Sequence, residues 1–319
     1  MPRKIPVGIL GASGYVGQQY LRLLKSHPTF EVVFKAATKP PYDTVHDRKK
    51  AQQCALVFSA LPSSIAQTVE PLYAEMGLPV FSSASYHRLE PDIPLIIPEI
   101  NGGHLSMIER QQKNRGWDRG FIVAKPNCTL QSYLLPLYPL HQHFRLTSLS
   151  VTNLQAVSGA GAGYKLNHNI IPYISGEEEK SEVEPLKILA DWNGEKLLMP
   201  SMTISTHCIR VPVEHGHLAC VSASFEQTPT LEEVLDIWKT FKSLDLPSSP
   251  NSPLVYFEEK DRPQPKLDAL IGGGMAVALG RLRSCPIFDL RFTALSHNLI
   301  RGAAGGGLLT AELYYKEYR

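Results

Sequence analysis

A chain of 319 residues with 43% hydrophobic and 19% charged residues is long enough for two cored domains and too apolar to be disordered throughout. Lys and Arg number 32 against 30 Asp and Glu, a formal charge of +2, which excludes a strong field for nucleic acid or an acidic membrane surface. The 23 glycines and 25 prolines predict many turns and several points where backbone comes close to something else.

The first residues, MPRKIPV, carry the charge of a signal peptide, but Gly8, Gly11 and Gly14 break the apolar stretch at once. No window approaches the ~18 apolar residues of a membrane span, so the expectation is a cytoplasmic protein with no membrane partner. Residues 5–10 read as a short buried strand, followed by a helical pattern over 15–26 with Val16, Tyr20, Leu21, Leu23 and Leu24 on one face. Strands are predicted at 31–37, 55–60, 78–82 and 121–124, with a helix from Pro62-Ser63-Ser64 to about Met76. Strands alternating with helices predict a parallel sheet with crossover helices. From about Thr147 the pattern changes to longer strands over 147–157, 196–213 and 217–226, with Asn193-Gly194 as a hairpin turn between two of them. Helical stretches near 177–191 and 230–243 interrupt these, residues 246–265 read as a surface loop, and a Gly/Ala run after Asn298 leads into a helix to Tyr315. The fold class is therefore α/β: a parallel-sheet domain, then an α+β domain, with the last helix returning to the first.

Gly8-Ile-Leu-Gly11-Ala-Ser-Gly14-Tyr-Val-Gly17 lies at the first strand–helix junction. Glycines there permit a tight turn and close approach of a pyrophosphate to the helix N–H groups, although the spacing is GxxGxxG rather than GxGxxG. Gly11, Ser13, Gly14, Tyr15 and Val16 are the expected cofactor contacts. An NAD site would place an acidic residue at the end of the second strand, but Glu31 begins that strand. Its end reads Ala36-Ala37-Thr38-Lys39, and a hydroxyl with an ammonium suits a 2′-phosphate, so Thr38 and Lys39 favour NADP.

Cys54, Cys128, Cys208, Cys220 and Cys285 are odd in number and form no CxxC pair, which argues against a disulfide framework or a zinc ribbon and for a reducing compartment. No metal site is expected. Cys128 precedes an apolar run in which Leu130, Leu134 and Leu137 keep helical spacing, so it is placed near a helix N-terminus, where the dipole favours a nucleophilic thiolate.

Five motifs occur in one order: Gly11-Ala-Ser-Gly14-Tyr-Val-Gly17, Pro126-Asn-Cys128-Thr, Gln155-Ala-Val-Ser-Gly-Ala-Gly161, Arg210-Val-Pro-Val-Glu-His-Gly-His217 and Asn298-Leu-Ile-Arg-Gly-Ala-Ala-Gly305. Together they resemble the aspartate-semialdehyde dehydrogenases of the archaeal and fungal branch over nearly the whole chain. The resemblance implies a Rossmann-type NADP-binding domain over residues 1–127, completed by a C-terminal helix over 299–319, and a catalytic and dimerisation domain over 128–298. It implies a homodimer or homotetramer that reduces L-aspartyl 4-phosphate to L-aspartate 4-semialdehyde with NADPH, releasing phosphate, in lysine, diaminopimelate, methionine and threonine biosynthesis.

The same resemblance assigns roles. Cys128 matches the nucleophile and His217 the acid/base residue. Arg210 matches the arginine that clamps the substrate carboxylate, a task that suits a bidentate guanidinium, and Gln155 the glutamine that orients the substrate. Glu184 matches the contact to the substrate amino group, and Lys187, Arg88 and Asn127 the phosphate contacts. Ser158, Gly159 and Asn298 match cofactor contacts near the nicotinamide. The run Glu177-Glu178-Glu179 is expected to be solvated charge. The segment between Thr38 and Cys54 is shorter than the resemblance leads one to expect, and its basic cluster, Arg48-Lys49-Lys50 with His46, reads as a solvated loop. N-acetyl-glutamyl-phosphate reductase, an acyl-CoA reductase on the same fold and a non-catalytic dinucleotide sensor are the rival readings.

Overall fold

The computed structural model describes residues 4–38, 40–161 and 163–318. Six strands, β1 (Ile5–Leu10), β2 (Phe30–Ala37), β3 (Asp43–Thr44), β4 (Leu56–Ser59), β5 (Pro79–Ser82) and β6 (Phe121–Ala124), form one parallel sheet in the order β3-β2-β1-β4-β5-β6. Every residue of β4, β5 and β6 is buried, as a parallel sheet covered on both faces requires. The order reverses between β1 and β4, so the ends of these strands open the crevice in which such sheets bind ligands. The turn after β1 sits there. Gly11, at φ +80°, lies so close to Ala60 that a Cβ would meet its carbonyl oxygen at 2.5 Å, which leaves glycine as the residue for that position.

The second sheet is mixed. Its strands are β7 (Leu146–Gln155), β10 (Thr203–Arg210), β11 (His217–Phe225), β12 (Leu254–Phe257), β13 (Val277–Ser284) and β14 (Leu290–Ser296), ordered β10-β7-β11-β14-β13-β12; β8 (Asp191–Trp192) and β9 (Leu197–Leu198) form a separate ladder. The helix Leu130–Phe144 packs on this sheet and is apolar nearly all round, so it is buried on nearly all sides. The last helix, Gly305–Glu317, packs back on the first sheet. Tyr314 stacks edge-on against Phe121 at 4.9 Å, and Glu312 accepts from His27 Nε2 at 2.6 Å in a buried pair.

Several expectations need correction. The Asn193-Gly194 turn joins the short strands β8 and β9, not two of the long ones. Residues 246–265 are not all loop, because β12 runs through them and pairs with β13. Strands β13 and β14 were not anticipated. A register shift between Gly280 and Arg283, with Arg281 at φ 61°, breaks the alternation that marks a half-buried strand. The helix Met107–Arg115 also escaped notice, since only Met107, Ile108 and Gln111 face inward from a charged sequence.

Candidate functional site

Strand pairing brings the chemistry to one edge of the second sheet. Gln155 ends β7 and Arg210 ends β10, and the parallel register sets them side by side. Strand β11 runs antiparallel to β7 with Leu218 opposite Leu154, so His217, its first residue, arrives at the same edge. The helix Leu130–Phe144 starts two residues after Cys128 and presents that cysteine to the edge from the first sheet. Cys128, Gln155 and Arg210 line a cleft of about 590 Å³ together with the turn after β1, and His217 meets it through its contact with Cys128.

Cys128 Sγ lies 3.2 Å from His217 Nε2, and His217 Nδ1 accepts the backbone N–H of Ala156 at 3.0 Å. Arg210 Nη1 donates to the carbonyl of that same Ala156 at 2.7 Å. Gly159 packs against both side chains: a Cβ there would stand 2.9 Å from Arg210 Nη1 and 3.1 Å from His217 Cε1. Burial, with Arg210 next in importance, pushes His217 down to about 3, so its ring is neutral. The low-pKa thiol expected from the helix end is not what the resting site holds. Burial, then Glu177, pushes the Cys128 thiol up, against the opposing pull of Lys125, Arg88 and Arg210. Lys125 itself is pushed down to about 8 by burial; its ammonium is hydrogen-bonded to the carbonyls of Pro126 and Gly302, which flank the cysteine in sequence and in space.

The structure separates the residues expected to hold substrate. Glu184 accepts from Arg88 Nη1 at 2.8 Å and from the Asn127 backbone N–H at 2.6 Å, in a site 1% exposed. Lys187 donates to the carbonyls of Arg88, Glu90 and Ile93 at 2.8, 2.6 and 2.7 Å, so all three of its protons are engaged by backbone. Neither lines the cleft. They fasten the turn that carries Arg88, which does line it; Arg88 also donates to Ser83, while its buried Nε has no partner among the described residues. The expectation that Lys187 and Glu184 point at substrate is corrected accordingly.

The cleft instead holds Glu177 and Lys180, one from the run read as solvated charge. Lys180 donates to Glu177 Oε1 at 2.9 Å, and Glu177 Oε2 accepts from Asn127 Nδ2 at 2.8 Å and Gln155 Nε2 at 3.1 Å. Their three-residue spacing was legible, because Glu177-x-x-Lys180 repeats Glu184-x-x-Lys187 seven residues earlier on the same helix, Glu177–Ile188. Lys125 was visible only as the residue that opens the cysteine motif.

At the other end of the cleft stand Gly14, Tyr15 and Val16, at the N-terminus of the helix Tyr15–Leu24, where the N-cap residue Gly14 makes no side-chain cap to the first N–H groups. This arrangement fits a pyrophosphate. Gly11 is buried beneath Ala60, so it shapes the turn, and Ser13 is exposed at its tip. Ser158 Oγ accepts from Asn298 Nδ2 at 2.9 Å, and Asn298 Oδ1 accepts from the Gly216 N–H at 3.0 Å; with Gly159 these two line the cleft between Cys128 and the glycine turn. Thr38 is exposed after β2, and Lys39 lies outside the described residues. Of the basic cluster, Lys50 is paired with Asp43 at 2.5 Å and Asp47 at 3.7 Å. Among the described residues no group of His, Cys, Asp and Glu is arranged to hold a metal ion, and no helix is long and apolar enough to cross a membrane.

Residues 6–108 match the family described as semialdehyde dehydrogenase, NAD binding domain, and residues 137–301 match semialdehyde dehydrogenase, dimerisation domain. The aspartate-semialdehyde dehydrogenase of Archaeoglobus fulgidus is 42% identical over 98% of both chains. That of Schizosaccharomyces pombe is 36% identical over 98% of both. A crystal structure of the Candida albicans aspartate semialdehyde dehydrogenase with NADP superposes with a TM-score of 0.88 at 33% identity, covering 98% of each chain.

Proposed function

The chain belongs to the aspartate-semialdehyde dehydrogenase family, and from that premise we propose how its residues carry the reaction. The enzyme is an NADP-dependent oxidoreductase that converts L-aspartyl 4-phosphate to L-aspartate 4-semialdehyde and phosphate through a thioacyl intermediate, a step that supplies lysine, diaminopimelate, methionine and threonine synthesis. The observation that carries this reading is the 3.2 Å contact of His217 with Cys128, which lines one cleft with Arg210, Lys180 and Arg88. Cys128 attacks the acyl carbon and His217 acts on the same reacting centre. Arg210 holds the α-carboxylate and Gln155 orients the substrate. Glu177 takes the amino group, and Lys180, with Arg88 and Asn127, takes the phosphate: the roles that family resemblance alone gave to Glu184 and Lys187.

The uncapped turn of Gly14, Tyr15 and Val16 accepts the cofactor's pyrophosphate, and Ser158, Gly159 and Asn298 border its nicotinamide end. When bound, NADPH supplies hydride to the thioester carbon. Thr38 and Lys39 are assigned to the 2′-phosphate. Residues 1–127 with 299–319 make the cofactor domain and 128–298 the catalytic domain, a division supported by the two sheets and the returning helix. A homodimer or homotetramer is supported by exposed Ile170, Tyr173, Val183, Leu198 and Met199 and by the position of β10 at the edge of its sheet. Five unpaired cysteines fit a cytoplasmic location.

The test is a substrate panel with purified protein: aspartate semialdehyde with phosphate, N-acetylglutamate semialdehyde with phosphate, and malonyl-CoA, each with both nicotinamide cofactors. Turnover with aspartate semialdehyde, lost in Cys128→Ala, supports the reading; equal or better turnover of another substrate refutes it.

A further inference from the structure

The four cations that line the cleft, Arg88, Lys125, Lys180 and Arg210, are not in the same state. Arg88 is paired with Glu184 at 2.8 Å and Lys180 with Glu177 at 2.9 Å, so each already has its counter-charge. Among the described residues no carboxylate lies within ion-pair distance of Arg210 or Lys125. The substrate's α-carboxylate answers for Arg210. No group of the substrate has yet been matched to Lys125, which is only 6% exposed.

The Lys125 ammonium donates to two backbone carbonyls, those of Pro126 and Gly302. An ammonium has three protons, so one is left, whereas Lys187 spends all three on carbonyls. The two contacts tie the cysteine loop to the turn Ile300–Ala304. Such a tie does not call for a charge, because the amide of an asparagine or glutamine brings two N–H donors without burying an ion. Gly302 sets where the ammonium stands. A Cβ on that glycine would lie 2.8 Å from Cys128 Cβ, and its carbonyl holds Lys125, so the ammonium and the reacting cysteine flank one residue. The charged and titratable groups facing Lys125 are Arg88, Cys128 itself, and Glu184 and Glu177 of the helix Glu177–Ile188; the last helix meets its stem at Gly306, which brings no charge.

A phosphate group brings a charge of about −2 near neutral pH. Cations already neutralised by Glu184 and Glu177 do not balance it. We propose, resting on the reaction read above, that Lys125 is a fourth phosphate ligand beside Lys180, Arg88 and Asn127, giving its remaining proton to a phosphate oxygen of the acyl phosphate and, in the reverse direction, of inorganic phosphate. Burial, then Arg88, holds Lys125 down at about 8, and a phosphate dianion opposes that shift. Only the charged lysine donates, so phosphate affinity is present below about pH 8 and is lost as pH rises through it.

The experiment measures kcat/KM for phosphate in the oxidative direction, with the KM values of NADP and the aldehyde alongside, for the wild type, Arg88→Met, Lys125→Met and Lys125→Gln. Glutamine keeps two donors for the carbonyls and removes the charge. At pH 7.5 both Lys125 variants should lower kcat/KM for phosphate about 10- to 100-fold, with the other two KM values unchanged. The gap should close toward pH 9.5, because the wild-type lysine loses a charge that the variants never had. A gap that is constant with pH, or a Lys125→Gln enzyme with the wild-type phosphate KM, would make Lys125 a backbone tie and overturn the proposal. A defect confined to NADP overturns it too, by assigning the charge to the cofactor's pyrophosphate. A phosphate KM moved by Arg88→Met and by neither Lys125 variant sinks the proposal and leaves the reading of the reaction standing; wild-type turnover that needs no phosphate removes both.

Discussion

Replacing Lys187 with methionine should weaken the fold and spare phosphate binding, while Lys180→Met should do the reverse. Lys187 Nζ holds three carbonyls at 2.6 to 2.8 Å in a side chain 4% exposed. Each buried acceptor left unpaired costs about 1–3 kcal/mol. Relief of the burial that holds Lys187 down at about 8 returns about 3 kcal/mol, since one pKa unit is about 1.4 kcal/mol. The balance is a loss of about 3 kcal/mol, or a fall in Tm on the order of 6–12 °C. Lys180 makes a half-exposed ion pair with Glu177 at 2.9 Å, worth about 1 kcal/mol or less to stability. Its loss from the cleft removes a charge-assisted contact to phosphate, about 1.5–3 kcal/mol, so the KM for phosphate in the oxidative direction should rise roughly 10- to 100-fold. Thermal unfolding and phosphate titration of the two variants decide the matter. A Lys187→Met enzyme that melts like the wild type but needs tenfold more phosphate would refute the reasoning.

Three other outcomes follow from the same geometry. Gly159→Ala should push its Cβ into Arg210 and His217 and lower kcat about 10- to 100-fold, with the urea midpoint unchanged; equal kcat would mean the turn yields freely. Stability should fall in acid. His217 and His297, held by burial at about 3 and about 4, stay neutral in the fold while their unfolded forms protonate below about 6.5. The unfolded chain then binds more protons, and stability contributed above pH 6.5 is lost as pH falls toward 4 and 3. At pH 5 each costs about 2 kcal/mol, so urea midpoints should drop between pH 7.5 and pH 5, and His297→Gln should remove about half of that drop. Finally, Thr38→Asp should repel a 2′-phosphate and lower the NADPH to NADH preference; kcat/KM for both cofactors tests this, and an unchanged ratio would take Thr38 out of the pocket.

Most of the first sheet was legible because fully buried parallel strands are short apolar runs bounded by Gly and Pro, and Leu56–Ser59, Pro79–Ser82 and Phe121–Ala124 have that form. What escaped was structure whose reason lies elsewhere in the chain. Strand β13 contains Gly280 because a side chain there would meet the Arg262 carbonyl at 2.4 Å. No local pattern in VALGRLRS announces a contact with residue 262. The helix Met107–Arg115 is held by a polar residue, with Gln111 bonding Ile122 in both directions, at 2.8 Å as donor and 2.7 Å as acceptor. An apolar periodicity count passes over such an anchor.

The site shows the same limit more sharply. Residues fixed to a motif by adjacency, such as Cys128, Arg210 and His217, came together as the order of motifs implied. The two Glu-x-x-Lys pairs did not sort themselves. Seven residues is nearly two helical turns, so Glu177 and Glu184 share a face to within about 20°. They differ by about 10 Å along the axis, and only the position of the cleft at the N-terminal end of Glu177–Ile188 makes that distance matter. Angular position is written in a sequence through its period; axial position relative to a partner surface is not. The consequence is a division of labour along one helix: the pair nearer the cleft bears free polar surface for a ligand, and the pair two turns deeper is consumed in fastening Arg88. A buried lysine with three carbonyl partners has no proton left to give a phosphate, whatever its place in a motif.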